Sequence, residues 1–173
     1  MDHGRIWPAA KTPIILLALL ALIFFAARWG YAALTEPPPP PYVEPCVDQP
    51  APDSLVHSKM VTVRVLNASN KRGKAAEVSQ QLKRQGFNVT RVGNANANQE
   101  KSMIVGFAAD SPEVELVSHQ FKGFETVGDG RVDHSVEVLI GQDYDAMIGD
   151  APVELKIDGT TVCLPKPPTA APA

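Results

Sequence analysis

Between residues 61 and 92 the chain switches from one hydrophobic period to another and back. In VTVRVLNAS, Val61, Val63 and Val65 alternate with Thr62 and Arg64, the two-residue period of a half-buried strand. From Lys71 to Gln85 the spacing lengthens. Ala75, Val78 and Leu82 recur at i, i+3 and i+7 among lysine, arginine and glutamine, which predicts a helix with one buried stripe. Asn67, Ser69 and Asn70 between the two are turn and N-cap residues, and Gly86 supplies the left-handed residue that ends the helix. FNVTRV then resumes the alternation. A strand, a one-faced helix and a strand within about thirty residues make a βαβ unit, expected to cross over right-handed.

The following segments carry similar punctuation. After the polar loop GNANANQEK, SMIVGFAA reads as a short central strand. DSPEVELVSHQFKG has Ser111 as cap, Pro112 at the first helical position, Glu113 and Glu115 in the first turn, and Gly123 at the exit. Val114, Val117 and Phe121 form its apolar stripe. HSVEVLIGQDY supplies another strand, and VELKIDGTTVCL reads as a hairpin turning on Asp158 and Gly159. The expected fold is α/β, a small mixed-sheet sandwich with two helices in the order β-α-β-β-α-β-β plus a C-terminal hairpin. A ferredoxin-like α+β arrangement is the alternative.

Upstream the pattern is of another kind. IILLALLALIFFAA, residues 14 to 27, has no charge, and residues 13–34 add only Arg28. At 1.5 Å per residue that stretch reaches roughly 30 Å, enough for a bilayer core. Trp7 precedes the apolar run, and Trp29 and Tyr31 lie near its far end, as interfacial anchors would. A cleavable signal with Gly30 and Ala32 as its small residues is the competing reading. The run is longer than the ~7 to 15 apolar residues of such signals, which favours an anchor. Arg5 and Lys11 precede the span and Glu36 is the first charge after Leu34. Residues 1–12 are therefore expected in the cytoplasm and the rest outside the cell.

Residues 35–53 hold eight of the chain's sixteen prolines. Such a segment reads as a polyproline II spacer without helix or ladder, able to reach ~50 Å at about 3.1 Å per residue. Residues 165–173 form a similar proline-rich, disordered tail. Residues 54–164 remain as one domain of ordinary size. Cys46 and Cys163 bracket it in an oxidising compartment, where an even count is usually paired. Two free thiols or a metal pair are the alternatives, the latter weakened by the lack of a nearby histidine pattern.

No catalytic template fits. Ser69 lies on the strand-to-helix turn, but NASNKRG is not G-x-S-x-G. Gly73, Gly86 and Gly93 form neither G-x-G-x-x-G nor a Walker loop, since Lys74 is followed by Ala75. His57, His119 and His134 are scattered, and GDGRVDHS and GQDYDAMIGD miss the ligand spacing of a calcium loop, so neither metal nor cofactor is expected. Charge is more informative. Residues 59 to 91 hold eight Lys/Arg and one Glu, residues 110 to 158 twelve Asp/Glu and three Lys/Arg, and the net charge of −3 conceals this division. With Lys71, Arg72 and Lys74 expected in the first helical turn, beside free N–H groups, Asn67, Ser69, Asn70, Lys71, Arg72 and Lys74 form a candidate anion-binding surface. The alternative is that these cations solubilise an exposed helix and pair with the acidic half. Nucleic acid is not an expected partner for an acidic domain outside the cell.

VTVRVLNASNKRGKAAEVSQQLKRQGFNVTRVGNA, SMIVGFAA and VEVLIGQDY together resemble the LytR C-terminal domain, the module that follows the catalytic domain in many LytR/CpsA/Psr proteins. The resemblance covers residues 60 to 146. It rests on the Val63-x-Val65-x-Asn67 turn with Gly73, on Gly86-Phe87-x-Val89 with Val92-Gly93-Asn94, and on Gly141-x-Asp143-Tyr144. Ala68 departs from it, since glycine is common after the asparagine. The layout of anchor, spacer and single domain is similar to single-pass envelope-integrity proteins of actinobacteria. The resemblance implies a non-enzymatic, extracytoplasmic role in maintaining the cell wall, with peptidoglycan, anionic wall polymers or envelope membrane proteins as partners. No catalytic residue is carried over.

Overall fold

The computed structural model describes residues 7–35 and 43–166. Expectations for the first six residues, the proline run at 36–42 and the tail from 167 lie outside the described residues. The chain divides into two units, the second beginning at Val43. In the first, α1 (Trp7–Thr35) is long and apolar enough to cross a membrane over Pro13–Tyr31, with a mean hydropathy of 2.1. It contains the expected span and starts six residues before it.

The second unit contains β1 (Val47–Pro50), β2 (Leu55–His57), β3 (Thr62–Asn67), α2 (Lys74–Arg84), β4 (Asn88–Asn94), β5 (Met103–Gly106), α3 (Pro112–Ser118), β6 (Glu125–Gly128), β7 (Val136–Ile140), β8 (Glu154–Lys156) and β9 (Thr161–Leu164). Five strands form one mixed sheet in the order β4-β3-β7-β5-β6. β3 is parallel to β4 and β7, whereas β5 is antiparallel to β7 and parallel to β6. α2 connects β3 to β4 and α3 connects β5 to β6, so two βαβ units flank β7. This is the expected α/β mixed sheet. The ferredoxin-like alternative is not formed, because β3 is parallel to both its neighbours.

Register explains the core. Val63 and Val65 oppose Val136 and Val138, Ile104 opposes Val138, and all five are completely buried. The same apolar cluster contains Ala75, Val78 and Leu82 from α2, Val114 and Val117 from α3, and Phe121 just beyond it. Both predicted stripes thus pack on one sheet face. Arg64, Leu66, Met103 and Val105 alternate onto the other face and remain half-buried.

Three boundaries differ from expectation. The spacer is not free of ladders: β1 pairs antiparallel with β9, and β2 with β8. The two pairings share one register, and between them Ala51 N–H donates to Thr160 O (2.8 Å) and Ile157 N–H to Ser54 O (2.9 Å). Residues 47–57 therefore run alongside 154–164 as a single ribbon, kinked where Asp53 and Ser54 take positive φ (58° and 57°). The folded unit begins at Val43 rather than residue 54. A two-stranded ribbon leaves one edge of each strand unpaired, so a proline such as Pro50 is tolerated.

That ribbon also displaces the expected C-terminal hairpin, since β8 and β9 pair with β2 and β1 instead of each other. Cys46 and Cys163 are joined by a disulfide at the ribbon's end, with Cα atoms 5.3 Å apart. Finally, α2 begins at Lys74, three residues later than expected, with left-handed Gly73 (φ 81°) as its N-cap.

Candidate functional site

The loop from β3 into α2 is organised by its own side chains. Asn67 Oδ1 accepts hydrogen bonds from Ser69 N–H (3.1 Å) and Ser69 Oγ (2.8 Å), while Asn67 Nδ2 donates to Lys71 O (2.9 Å). Lys71 N–H donates to Ser69 Oγ at 3.2 Å. The loop is tied down by Ala68 N–H to Ile140 O (2.9 Å) and Gln99 N–H to Ala68 O (2.7 Å). Asn67 and Ser69, 9% and 7% exposed, thus face inward and brace the turn. Ser69, with its hydroxyl engaged, is a structural residue there.

Asn70, Lys71 and Arg72 are exposed on the outer side of this loop. Lys71 and Arg72 precede α2 instead of lying in its first turn, which corrects their expected placement. Lys74 is in the first turn, but its ammonium pairs with Glu77 (2.9 Å) and lies 5.6 Å from the centre of the Tyr144 ring. Of the six residues singled out in the sequence, two are loop braces, three are exposed and one is internally paired.

Beside the loop a shallow concavity of about 180 Å³ is lined by Asn67, Gly73, Ala75, Ala76, Gly93 and Asn94, with Val92 at its edge. It lies past the C-terminal ends of β3 and β4, where α/β folds commonly receive ligands. Ala75 and Ala76 keep it open, and the first N–H groups of a helix have no partner within the helix. The concavity therefore offers backbone donors and the positive end of a helix dipole to an anion. Ala76 and Asn94 were not legible as lining residues, because the sequence does not show that the β4 terminus returns beside the start of α2.

The surrounding charges are more open than expected. Arg64 pairs with Asp133 (2.8 Å), the one ion pair between the basic and acidic segments among the described residues, and Lys74 pairs locally. Among the described residues, Lys59, Lys71, Arg72, Lys83, Arg84 and Arg91 have no carboxylate partner. Pairing with the acidic half does not account for them. They also do not form one cluster: Lys83 and Arg84 end α2, about 15 Å along its axis from its first residue, Lys74, which Lys71 and Arg72 precede.

The histidines remain dispersed. His57 lies 3.0 Å from Glu154, and His134 lies 3.0 Å from the fully buried Glu113. Among the described residues no group of three metal-ligating side chains is present. At the other end of β7, Asp143 Oδ1 accepts from Ser102 N–H (2.8 Å) and Oγ (2.6 Å), and Ser102 Oγ accepts from Gly141 N–H (2.9 Å). A Cβ at Gly141 would collide with the Lys101 main chain, so this position demands glycine. The GQDY segment is therefore structural at Gly141 and Asp143.

Residues 60–144 match the family model LytR_C, described as LytR cell envelope-related transcriptional attenuator. That stretch holds the five-stranded sheet, α2, α3 and Tyr144, and excludes the ribbon. No curated protein matches the chain. Among solved structures it is similar to the soluble domain of a conserved hypothetical secreted protein, the Rv2700 ortholog, from Mycobacterium marinum. The identity is 31% and the TM-score 0.49, over 53% of this chain and 66% of that one, just under two thirds of the latter.

Proposed function

We propose that this chain is a membrane-anchored, non-enzymatic cell-envelope protein that supports wall integrity by holding or organising peptidoglycan or anionic wall polymers. The family match supports a cell-envelope-related role. The apolar helix and the disulfide support a domain held outside the membrane. In this reading α1 is a retained single-pass anchor with a cytoplasmic N-terminus, and the layout is that of envelope-integrity proteins such as Cei.

One observation carries the choice of ligand: six cations between Lys59 and Arg91 have no carboxylate partner among the described residues, and two of them flank the open N-terminus of α2. Lys71 and Arg72 supply long-range attraction, and the concavity beside Gly73 supplies backbone donors. The test is co-sedimentation of residues 43–173 with purified sacculi, since that segment keeps β1 and the disulfide. Retention should fall steeply between low and high salt, because exposed charges are screened within about 10 Å at 0.1 M. Equal recovery without sacculi would remove the reading.

A protein-protein adaptor is the second reading. It is favoured by the sheet face opposite α2 and α3, where Leu66, Met103 and Val105 remain half-buried. Cross-linking that enriches one membrane protein while sacculus retention is absent would select it.

A further inference from the structure

A second cleft lies between the turn leading from α3 into β6 and the segment following β7. Its volume is about 230 Å³, and its walls carry Lys122, Phe124, Asp143, Asp145 and Met147. Both walls are fixed in place. Phe124 stacks on Phe121 with centroids 4.4 Å apart and meets Tyr144 edge-on at 6.1 Å. Met147 forms a backbone bridge with Phe121, and Ile148 N–H donates to Gln120 O at 2.9 Å.

The charges in the cleft are uncommitted. Among the described residues, the side chains of Lys122 and Asp145 have neither an ion pair nor a hydrogen bond. Asp143 uses only Oδ1, which faces Ser102. An ammonium and two carboxylates thus line one small cleft without neutralising one another. A purely anionic guest would meet two carboxylates, and a purely cationic one would meet Lys122. A guest bearing both charges satisfies both walls, and the Phe124 ring adds a favourable surface for its ammonium. The volume lies below the ~300 Å³ at which drug-sized pockets begin, which limits the guest to about one amino-acid residue.

We propose that this cleft binds a free amino acid, or the C-terminal residue of a peptide that carries a side-chain ammonium, through its ammonium and carboxylate groups, with Asp145 and Asp143 on the former and Lys122 on the latter. This site is separate from the turn at the start of α2, and its ligand differs from the anionic polymer proposed there.

Calorimetric titration of the full chain in detergent micelles with lysine, alanyl-lysine, lysinamide and diacetyl-lysine tests it. Lysine or alanyl-lysine should bind saturably, whereas lysinamide, which lacks the carboxylate, should bind about tenfold more weakly, the loss expected for one charge-assisted hydrogen bond, and diacetyl-lysine, which lacks both ammonium groups, at least as weakly. Lys122→Met should abolish the preference for lysine over lysinamide, and Asp145→Asn should reduce its preference over diacetyl-lysine, with Asp143 retaining part of it. Both residues are exposed, so neither change should disturb folding. Tighter binding of alanyl-lysine identifies a peptide terminus, and tighter binding of lysine a free amino acid. No saturable binding of either, or discrimination that both variants leave intact, overturns the proposal.

Discussion

Opening the disulfide should cost the domain about as much stability as a large core truncation. Cys46 and Cys163 are 117 residues apart, so the bond closes nearly the whole folded unit into one loop. The chain-entropy estimate for such a loop is about 5 kcal/mol at 25 °C, and native disulfides of small secreted domains are worth ~2–5 kcal/mol. A domain of this size loses about 4 °C in Tm per kcal/mol, which gives a fall of roughly 8 to 20 °C. The ribbon takes the first effect, since Cys46 N–H donates to Val132 O (2.7 Å) and β1 begins at the next residue. The assay is thermal unfolding of the full chain in micelles, with and without reductant, compared with the Cys46→Ser/Cys163→Ser double variant. Reductant should lower the wild-type Tm to that of the double variant and leave the latter unmoved. A double variant melting within about 3 °C of the oxidised protein would refute the reasoning, because the ribbon ladder alone would then be closing the domain ends.

Two further outcomes follow from the interior. Leu82→Ala, at a fully buried position in α2, should destabilise the domain by about 2–5 kcal/mol, measured by denaturant unfolding as a lower midpoint with an unchanged slope. Tyr144 is buried with its hydroxyl unpaired, and burial, followed by the Glu77 and Asp145 carboxylates, raises its pKa above the ordinary 10.0. Because the folded value is the higher one, its contribution to stability is complete below the unfolded value and is lost as pH rises through the folded value. An alkaline limb should therefore appear above about pH 10 and be reduced in Tyr144→Phe. The same substitution removes an unpaired buried hydroxyl, so at neutral pH it should be neutral or slightly stabilising; a fall of more than about 1 kcal/mol would contradict this.

Local periodicity made the central elements legible. Val61, Val63 and Val65 are buried, the α2 stripe faces the core, and Gly86 has a positive φ two residues beyond Arg84. What the sequence hid depended on pairings between distant residues. Pro45, Pro50 and Pro52 signal a segment without α-helix, and the only helical turn in residues 43–54 is the short 3-10 turn at Pro52–Ser54, yet that signal says nothing against a two-stranded ribbon with free outer edges. Asp158 and Gly159 mark only a bend and not a reversal, since β8 and β9 on either side run in one direction and pair with β2 and β1. At the candidate site, Asn67 and Ser69 have the composition of a helix cap. Their mutual hydrogen bonds instead delay the helix to Gly73 and turn both side chains inward. Composition identified the loop, whereas side-chain direction required the Ile140 and Gln99 main chains that brace it.

The ribbon also determines which end of the domain the candidate surface occupies. At the start of the second unit, Cys46 N–H donates to Val132 O, four residues before β7 begins. Val136 at the start of β7 lies opposite Val63 near the start of β3, and Asn67 ends β3 opposite Ile140. The arriving chain and the α2 turn are therefore separated by the length of the central strands, about 15 Å at ~3.3 Å per residue. The disulfide fastens that arriving chain to β9, the ribbon's other strand. Lys71, Arg72 and the concavity beside Gly73 consequently sit at the end remote from the attachment. That division suits the proposed role: the end that receives the preceding chain is distinct from the end offered to a polymer.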